Sequence, residues 1–396
     1  MTINSGYKIY NSSDNSLQDL SDRYVTKDYI LDAYPNILPS RIAPGLWVCG
    51  YRSAYSISDI VNRSSPVQVG TLTNWKSGSS SMWGDFSLFV KNDNTLWSFG
   101  VNTNGRLGLN DVLGRSSPVQ VGALTDWKQV AAGEFHSLSV KTTGTLWTWG
   151  LGTSGQLGSS AVASRSSPVQ VGTLTDWKQV TAGRSHSVAI KNNNTLWSWG
   201  LNNDGQLGLN DIANRSSPVQ VGTLTNWKQV VAGAFHTLAI KTDGTLWSWG
   251  YNSIDGELGL GDSIERSSPV QIGSLTDWKY VSAGRYTSSA IKNDGTLWTW
   301  GVNTDGQLGL GDTVSRLSPV QVGSLTNWKY VSIGSYHTLA LKTDGTLWAW
   351  GYNNLGNLAL NDTVSRSSPV QVGTINDWKY VQAGFDTSLL IKDASI

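Results

Sequence analysis

Apolar and polar positions alternate in short runs along most of this chain, and the same set of runs returns every 50 to 52 residues. Residues 227–273 serve as the type repeat. They read W-K-Q-V-V-A-G, A-F, H-T-L-A-I-K, T-D-G, T-L-W-S-W-G, a long loop, then S-S-P-V-Q-I-G. Runs rich in Val, Ile, Leu, Thr and Trp, bounded by Gly and Asp, predict strands. The pair Asp243-Gly244, repeated as Asp294-Gly295 and Asp344-Gly345, predicts a two-residue hairpin turn with both central residues at positive φ. Each repeat is therefore expected to make four short antiparallel strands. Seven copies are marked by Pro66, Pro118, Pro168, Pro218, Pro269, Pro319 and Pro369, and by Trp47, Trp97, Trp147, Trp197, Trp247, Trp298 and Trp348.

A period of this size means stacked units that cannot bury their apolar faces alone. Four-stranded sheets repeated radially give an all-β, seven-bladed β-propeller. The W-K-x-V-x-A-G strand ends in small residues such as Ala182 and Gly183, which suits crowding at the axis and places it innermost. The P-V-Q-V-G strand begins with a residue that lacks an N–H and belongs at the outer edge. Trp147 and Trp149 are two apart, so both face the neighbouring blade. The last repeat supplies only residues 378–384 and 387–392. Its missing strands, 46–50 and 66–70, lie at the other end of the chain, so both termini are expected to share one blade. That closure removes the exposed edges of an open stack.

Residues 45–396 are thus one domain, and residues 1–44 an arm. Within the arm, residues 26–34 predict a short helix, capped by Thr26 and stopped by Pro35. Its candidate docking residues are Leu17, Leu20, Tyr24, Tyr29, Ile30 and Tyr34.

Composition narrows the classes. Charged residues make up 14% with a formal net charge of +1, and most cations fall at repeated positions evenly spaced round the ring. No basic stripe for nucleic acid is expected. The single cysteine, Cys49, excludes an intrachain disulfide. The opening MTINSGYKIY has no apolar run of the kind a secretory signal carries, and no segment approaches the ~20 apolar residues of a membrane helix. Neither export nor membrane insertion is expected.

The segment pattern G-x-x-H-[TS]-L-A-[IL]-K-x-D-G-T-L-W-x-W-G-x-N-x-x-G-Q-L-G-L-x-D resembles the regulator-of-chromosome-condensation repeat across all seven copies. The resemblance implies a seven-bladed propeller closed by both termini. Members of that family include a nucleotide-exchange factor for a small GTPase, a plant ultraviolet photoreceptor and a bacterial β-lactamase inhibitor, beside bacterial and phage proteins. The spacing here is too uniform for the inserted wedge of the exchange factor, so the bacterial and bacteriophage type is expected. The stretch DLSDRYVTKDYILDAYPNI also resembles leader segments of bacteriophage virion proteins.

Candidate chemistry is sparse. His136, His186, His236 and His337 occupy one repeated position, with Phe86, Thr287 and Thr387 in the other copies. A hydrogen-bonding role is expected, since no Cys or carboxylate cluster completes a metal set. Gly150-x-Gly152-x-x-Gly155 matches a dinucleotide fingerprint but leads into a loop and strand instead of a helix. The N-x-D-G loops, as at 202–205, lack the distal Glu of a calcium loop. The spacing D-x-x-x-R, as in Asp111 with Arg115, predicts an ion pair in six copies. No catalytic residue, metal or cofactor is expected.

The repeats disagree most in the two residues before the His position. There stand Glu134-Phe135, Arg184-Ser185, Ala234-Phe235, Arg285-Tyr286, Ser335-Tyr336 and Phe385-Asp386, with Trp83 near the corresponding point of the first copy. These tips are expected on one face as a ring of aromatics and charges, the residue types of binding hot spots. The expected function is a non-enzymatic binding or structural propeller. More narrowly, it is a virion component docked by its arm to other virion proteins, with a possible host surface component as partner. The alternative is a soluble regulator or inhibitor that uses one face.

Overall fold

The computed structural model describes residues 8–11, 16–19, 44–51, 62–81, 86–253 and 255–392. The chain divides into two compact units, residues 1–43 with 395–396, and residues 44–394. In the first unit, strands Lys8–Asn11 and Ser16–Asp19 pair antiparallel, with Tyr10 opposite Leu17. The sequence reading expected no strand there. Leu20, Tyr24, Tyr29, Ile30, Tyr34 and the helix expected over 26–34 lie outside the described residues.

The second unit holds seven four-stranded antiparallel sheets. Blade 2 is typical, with an inner strand Trp127–Ala132, a second His136–Lys141, a third Leu146–Gly150 and an outer Arg165–Gln170. Blades 1 and 3–6 begin at Trp75, Trp177, Trp227, Trp278 and Trp328. Blade 7 is composite: Trp378–Ala383 and Thr387–Lys392 come from the C-terminal part of the chain, Gly45–Gly50 and Arg63–Gln68 from the N-terminal part. Gly45 lies opposite Lys392 and Gly50 opposite Thr387, so a six-residue ladder closes the ring.

Two local expectations change. The outer strands begin at Arg, three residues before the Pro, because the third-strand Gly pairs with that Arg across a bulge, as Gly150 does with Arg165. The proline still sits on the unpaired edge, where no N–H is needed. In the T-D-G turns only the Gly takes positive φ, 81° at Gly244, while Asp243 does not. The Asp243 carboxylate instead accepts hydrogen bonds from the Thr245 amide (3.0 Å) and hydroxyl (2.7 Å). A three-residue loop closed by a left-handed glycine results. At Gly244 a Cβ would stand 2.0 Å from the Thr276 carbonyl oxygen.

Each core lies between blades, as the W-x-W spacing requires. Trp127 meets Trp147 and Trp149 edge-on at 6.0 and 6.3 Å, and the cluster includes Phe86, Leu88 and Val90 of blade 1. The Trp149 indole donates to the Arg106 carbonyl (2.8 Å) in the preceding blade's loop. Burying each such ring contributes roughly 3 kcal/mol.

Candidate binding face

Every inner strand runs from its Trp at the end of the ring that carries the T-D-G hairpins toward its small residues at the opposite end. The variable pairs therefore emerge together at that opposite end, the tip end, with the long loops that follow each third strand. Backbone bonds tie the tips blade to blade: Arg184 donates to the Ala234 carbonyl (3.0 Å), Ala234 to Gly284 (3.1 Å) and Ser335 to Gly384 (3.2 Å). The tight approach explains the terminal glycines more fully than crowding alone. A Cβ on Gly183 would stand 2.1 Å from the His186 ring and 2.5 Å from the Gly233 oxygen.

The histidines are structural. His136 Nε2 lies 2.9 Å from the Ser187 hydroxyl of the next blade, which donates to the Gln156 carbonyl at 2.9 Å. Since that hydroxyl proton is committed, the histidine is the donor, with its proton on Nε2. His186, His236 and His337 repeat the contact with Thr237, Ser288 and Ser388. Burial lowers their pKa values to about 3 for His136, His186 and His337 and about 4 for His236. All four are neutral at pH 7. Among the described residues no group of three His, Cys, Asp or Glu could hold a metal ion.

Side chains of the tips form a girdle. Arg184 Nε donates to Glu134 Oε2 at 2.5 Å, and its guanidinium lies 5.3 Å from the Phe235 ring. Phe235 stacks on Tyr286 at 5.4 Å and 13°. Arg285 lies 4.8 Å from the Tyr286 ring and donates to the Tyr336 hydroxyl, and Tyr336 meets Phe385 edge-on at 5.6 Å. Every link except that between Arg285 and the adjacent Tyr286 joins one blade to the next. Thus Glu134, Phe135, Arg184, Phe235, Arg285, Tyr286, Tyr336, Phe385 and Asp386 all lie at one end, but none is fully exposed. Glu134 is only 5% exposed, and burial raises its pKa against the opposing pull of Arg184. Trp83 lies outside the described residues.

The sequence reading missed three contributors. Arg106 stands where other blades have Gln, Glu or Asn; it lies 4.9 Å from the Phe135 ring and donates to the Glu134 carbonyl at 3.2 Å. Tyr251 and Tyr352 pack against Phe235 and Tyr336, at 5.9 and 6.1 Å. They follow the glycine that ends each third strand, a position filled by Tyr, Val or Leu in every copy. That apolar constancy within a loop was the available signal. The amide at this position also pins the tip, as Tyr251 N does by donating to the Phe235 carbonyl at 3.0 Å.

The axis is filled differently on its two sides. Gln129 brackets the next inner strand, donating to the Val180 carbonyl (3.0 Å) and accepting from its amide (3.2 Å), and Gln179 does the same at Val230. In blades 5–7 the equivalent residues are Tyr280, Tyr330 and Tyr380, packed at 5.0 and 5.6 Å. Tyr380 donates to the Gly78 carbonyl (2.5 Å) across the join with blade 1. Burial holds all three phenols above the usual tyrosine range.

The expected Asp–Arg pairs are present in five described copies, as Asp211–Arg215 at 2.5 Å. The sixth involves Asp59, outside the described residues. Asp211 does more than pair: its carboxylate accepts the Ala213 amide and the Asn202 side-chain amide, which with Arg215 lowers its pKa. Asn202 Oδ1 in turn accepts the Leu207 amide. The N-x-D-G asparagines thus knit the loop together.

Comparisons with known proteins agree with this architecture. Residues 45–334 match the RCC1-like domain, and residues 328–357 and 344–391 match the regulator of chromosome condensation (RCC1) repeat. No curated protein matches the sequence. Human WBSCR16 superposes with a TM-score of 0.78 at 21% identity, covering 90% of this chain and 100% of that one. Prp20p from Saccharomyces cerevisiae, whose structure is described with its binding properties to Gsp1p and histones, gives 0.77 at 19%, covering 90% and 93%. The same yeast protein bound to Kap60 gives 0.77 at 19%, covering 92% of each chain. At these identities the likeness extends to the fold alone. With well over half its length matched by the domain and every blade built on the repeat, the chain belongs to the RCC1-like family of seven-bladed propellers.

Proposed function

We propose that this protein is a non-enzymatic platform that binds a protein partner through the tip end of its propeller. The girdle from Glu134 through Arg184, Phe235, Tyr286 and Tyr336 to Phe385 carries the reading. Half-buried aromatic rings and arginines held by their neighbours lose little side-chain freedom on binding, and these residue types dominate interface energetics. Glu134, the carboxylate an enzymatic reading would use, is committed to Arg184. The protein partners named for yeast Prp20p, Gsp1p and histones, favour a binding role for this fold.

The finer reading is a bacteriophage virion component, docked to other virion proteins through residues 1–44. Its support is the likeness of residues 19–37 to virion leader segments. Purified particles from an infected culture should contain the full chain at fixed stoichiometry, and deletion of residues 1–40 should remove it from particles while leaving the propeller folded. Full-occupancy incorporation of the truncated chain would overturn the docking role. The double variant Phe235→Ala/Tyr336→Ala should weaken binding to the partner by at least about 2 kcal/mol; unchanged affinity would remove the tip end from the interface.

A further inference from the structure

Cations are spaced evenly round the ring, as the repeat implies, but they are segregated between its two ends. All fourteen described lysines of the propeller lie at the hairpin end, and all ten described arginines at the tip end. Among the described residues, eight aspartates at the hairpin end oppose the fourteen lysines, a surplus of six positive charges. Among the described residues, twelve carboxylates at the tip end oppose the ten arginines, a surplus of two negative charges.

The lysines are of two kinds. The one that ends each second strand is caged: Lys141 lies 4.7 and 4.3 Å from the Trp127 and Trp147 rings and 3.2 Å from Asp126. The one after each inner-strand Trp is exposed, as at Lys128, Lys228, Lys279 and Lys329, and none of these four pairs with a carboxylate among the described residues. Lys178 reaches only the neutral Asn194 side chain, at 3.0 Å. Folding gives these four ammonium groups no ionic partner among the described residues, although acidic residues are present elsewhere in every blade.

Exposed leucines share this end. Leu124, Leu174, Leu224, Leu275 and Leu325, each in the linker that precedes an inner strand, are 42–48% exposed. We propose that the hairpin end is a peripheral membrane surface that docks on anionic lipid headgroups. Lysine near a negatively charged leaflet is attracted without specific geometry, and apolar side chains among the lysines add contact with the acyl boundary. A protein partner fits less well, because lysine is depleted from protein–protein interfaces. A nucleic acid fits less well because no described arginine, whose planar fork suits phosphate and base edges, lies at this end. The inference does not rest on the tip end or its partner.

The test is sedimentation of the full chain with vesicles of neutral phosphatidylcholine, with and without a third of phosphatidylglycerol. Binding is expected only to the anionic vesicles and should fall steeply between 50 and 300 mM salt. Lys178→Glu/Lys228→Glu/Lys279→Glu should weaken it roughly a hundredfold, at about fivefold per lysine. Leu174→Ser/Leu224→Ser should weaken it severalfold without changing the salt dependence. Phe235→Ala/Tyr336→Ala should leave it intact, which separates this surface from the tip end. Equal binding to neutral vesicles, an unchanged affinity in the triple-lysine variant, or tighter binding to duplex DNA or heparin than to anionic vesicles would overturn the proposal.

Discussion

The junction between blades 3 and 4 and the junction between blades 6 and 7 have the same backbone plan and opposite packing. In the first, Trp249 is fully buried and its indole donates to the Gln206 carbonyl at 3.0 Å. Gly208 lies flat against that indole, so close that a Cβ would stand 2.7 Å from its Nε1. In the second, Cys49 takes the tryptophan's place, Ala359 the glycine's and Asn357 the glutamine's. Cys49 Sγ lies 3.7 Å from the Asn357 carbonyl oxygen, and burial raises the thiol pKa to about 12. Ala359 keeps the left-handed backbone, φ 60°, that glycine takes elsewhere. A methyl group has entered where an indole has left. The removed volume is far larger than the added one, so this junction gains less from side-chain packing, and the Gly45–Gly50 ladder on Thr387–Lys392 must hold the closing blade together. Blades 2 to 6 are wedged by tryptophan at this position and blade 1 by Phe99, whereas the composite blade has only Cys49 there.

The largest break in that comparison is Trp249→Cys, which puts the closing junction's residue into an ordinary one that has no compensating methyl. A loss of about 3–5 kcal/mol is expected from urea unfolding, the usual cost of truncating a buried tryptophan. A loss below about 1 kcal/mol would mean the indoles do not wedge the blades. The converse exchange, Cys49→Trp, must place its ring against the Ala359 methyl and should cost about 1–3 kcal/mol by overpacking. Adding Ala359→Gly should recover most of that loss. No recovery would show that the two positions are not packed as a pair.

Residues 49, 357 and 359 were all visible as departures from the repeat, yet the contact of Cys49 with Asn357 was not, because nothing in a linear alignment links positions 308 apart. The same limit applies to the tips. Phe235 and Tyr286 were legible as variable positions, while their stacking depended on the pitch that brings neighbouring blades together. Blade number, strand order and the two-ended closure followed from periodicity and residue size, which are local properties summed seven times. The strand pair near the N-terminus went unseen because Lys8–Asn11 and Ser16–Asp19 occur once and carry no repeat to amplify their weak alternation. The segregation of Lys and Arg was present in the repeat itself, since each type keeps one strand end, but it became a surface property only once strand direction was known.

Acid should probe both junctions through their histidines. His186 bridges blades 3 and 4, and His337 bridges blades 6 and 7. Each has a folded pKa of about 3 against an unfolded value near 6.5. The unfolded chain therefore binds the extra proton, and the stability contributed by the neutral ring is complete above pH 6.5 and is lost as pH falls toward 3. The slope approaches about 1.4 kcal/mol per pH unit for each histidine within that window. His337→Thr, the residue already used at this position in blades 5 and 7, should reduce the measured slope between pH 6 and 4 by about that amount, and His186→Thr by the same. A slope unchanged by either substitution would mean the rings are protonated or solvated in the folded protein.

The smallest effect is the most discriminating. Ala359→Gly removes a non-glycine residue from the left-handed region, a relief of about 1 kcal/mol, and also removes one buried methyl, a loss of about 0.8 kcal/mol. The two nearly cancel, so the single variant should lie within about 0.5 kcal/mol of the parent in urea. Gly208→Ala is the reverse change on the same backbone, but there the new methyl meets the Trp249 indole, and the strain of both terms adds. If Ala359→Gly instead destabilised by more than about 2 kcal/mol, the methyl would be filling a tight site, and the closing junction would be as closely packed as the others. A near-neutral result beside a costly Gly208→Ala would locate the difference between the two junctions in the tryptophan itself, the one element that the composite blade gave up.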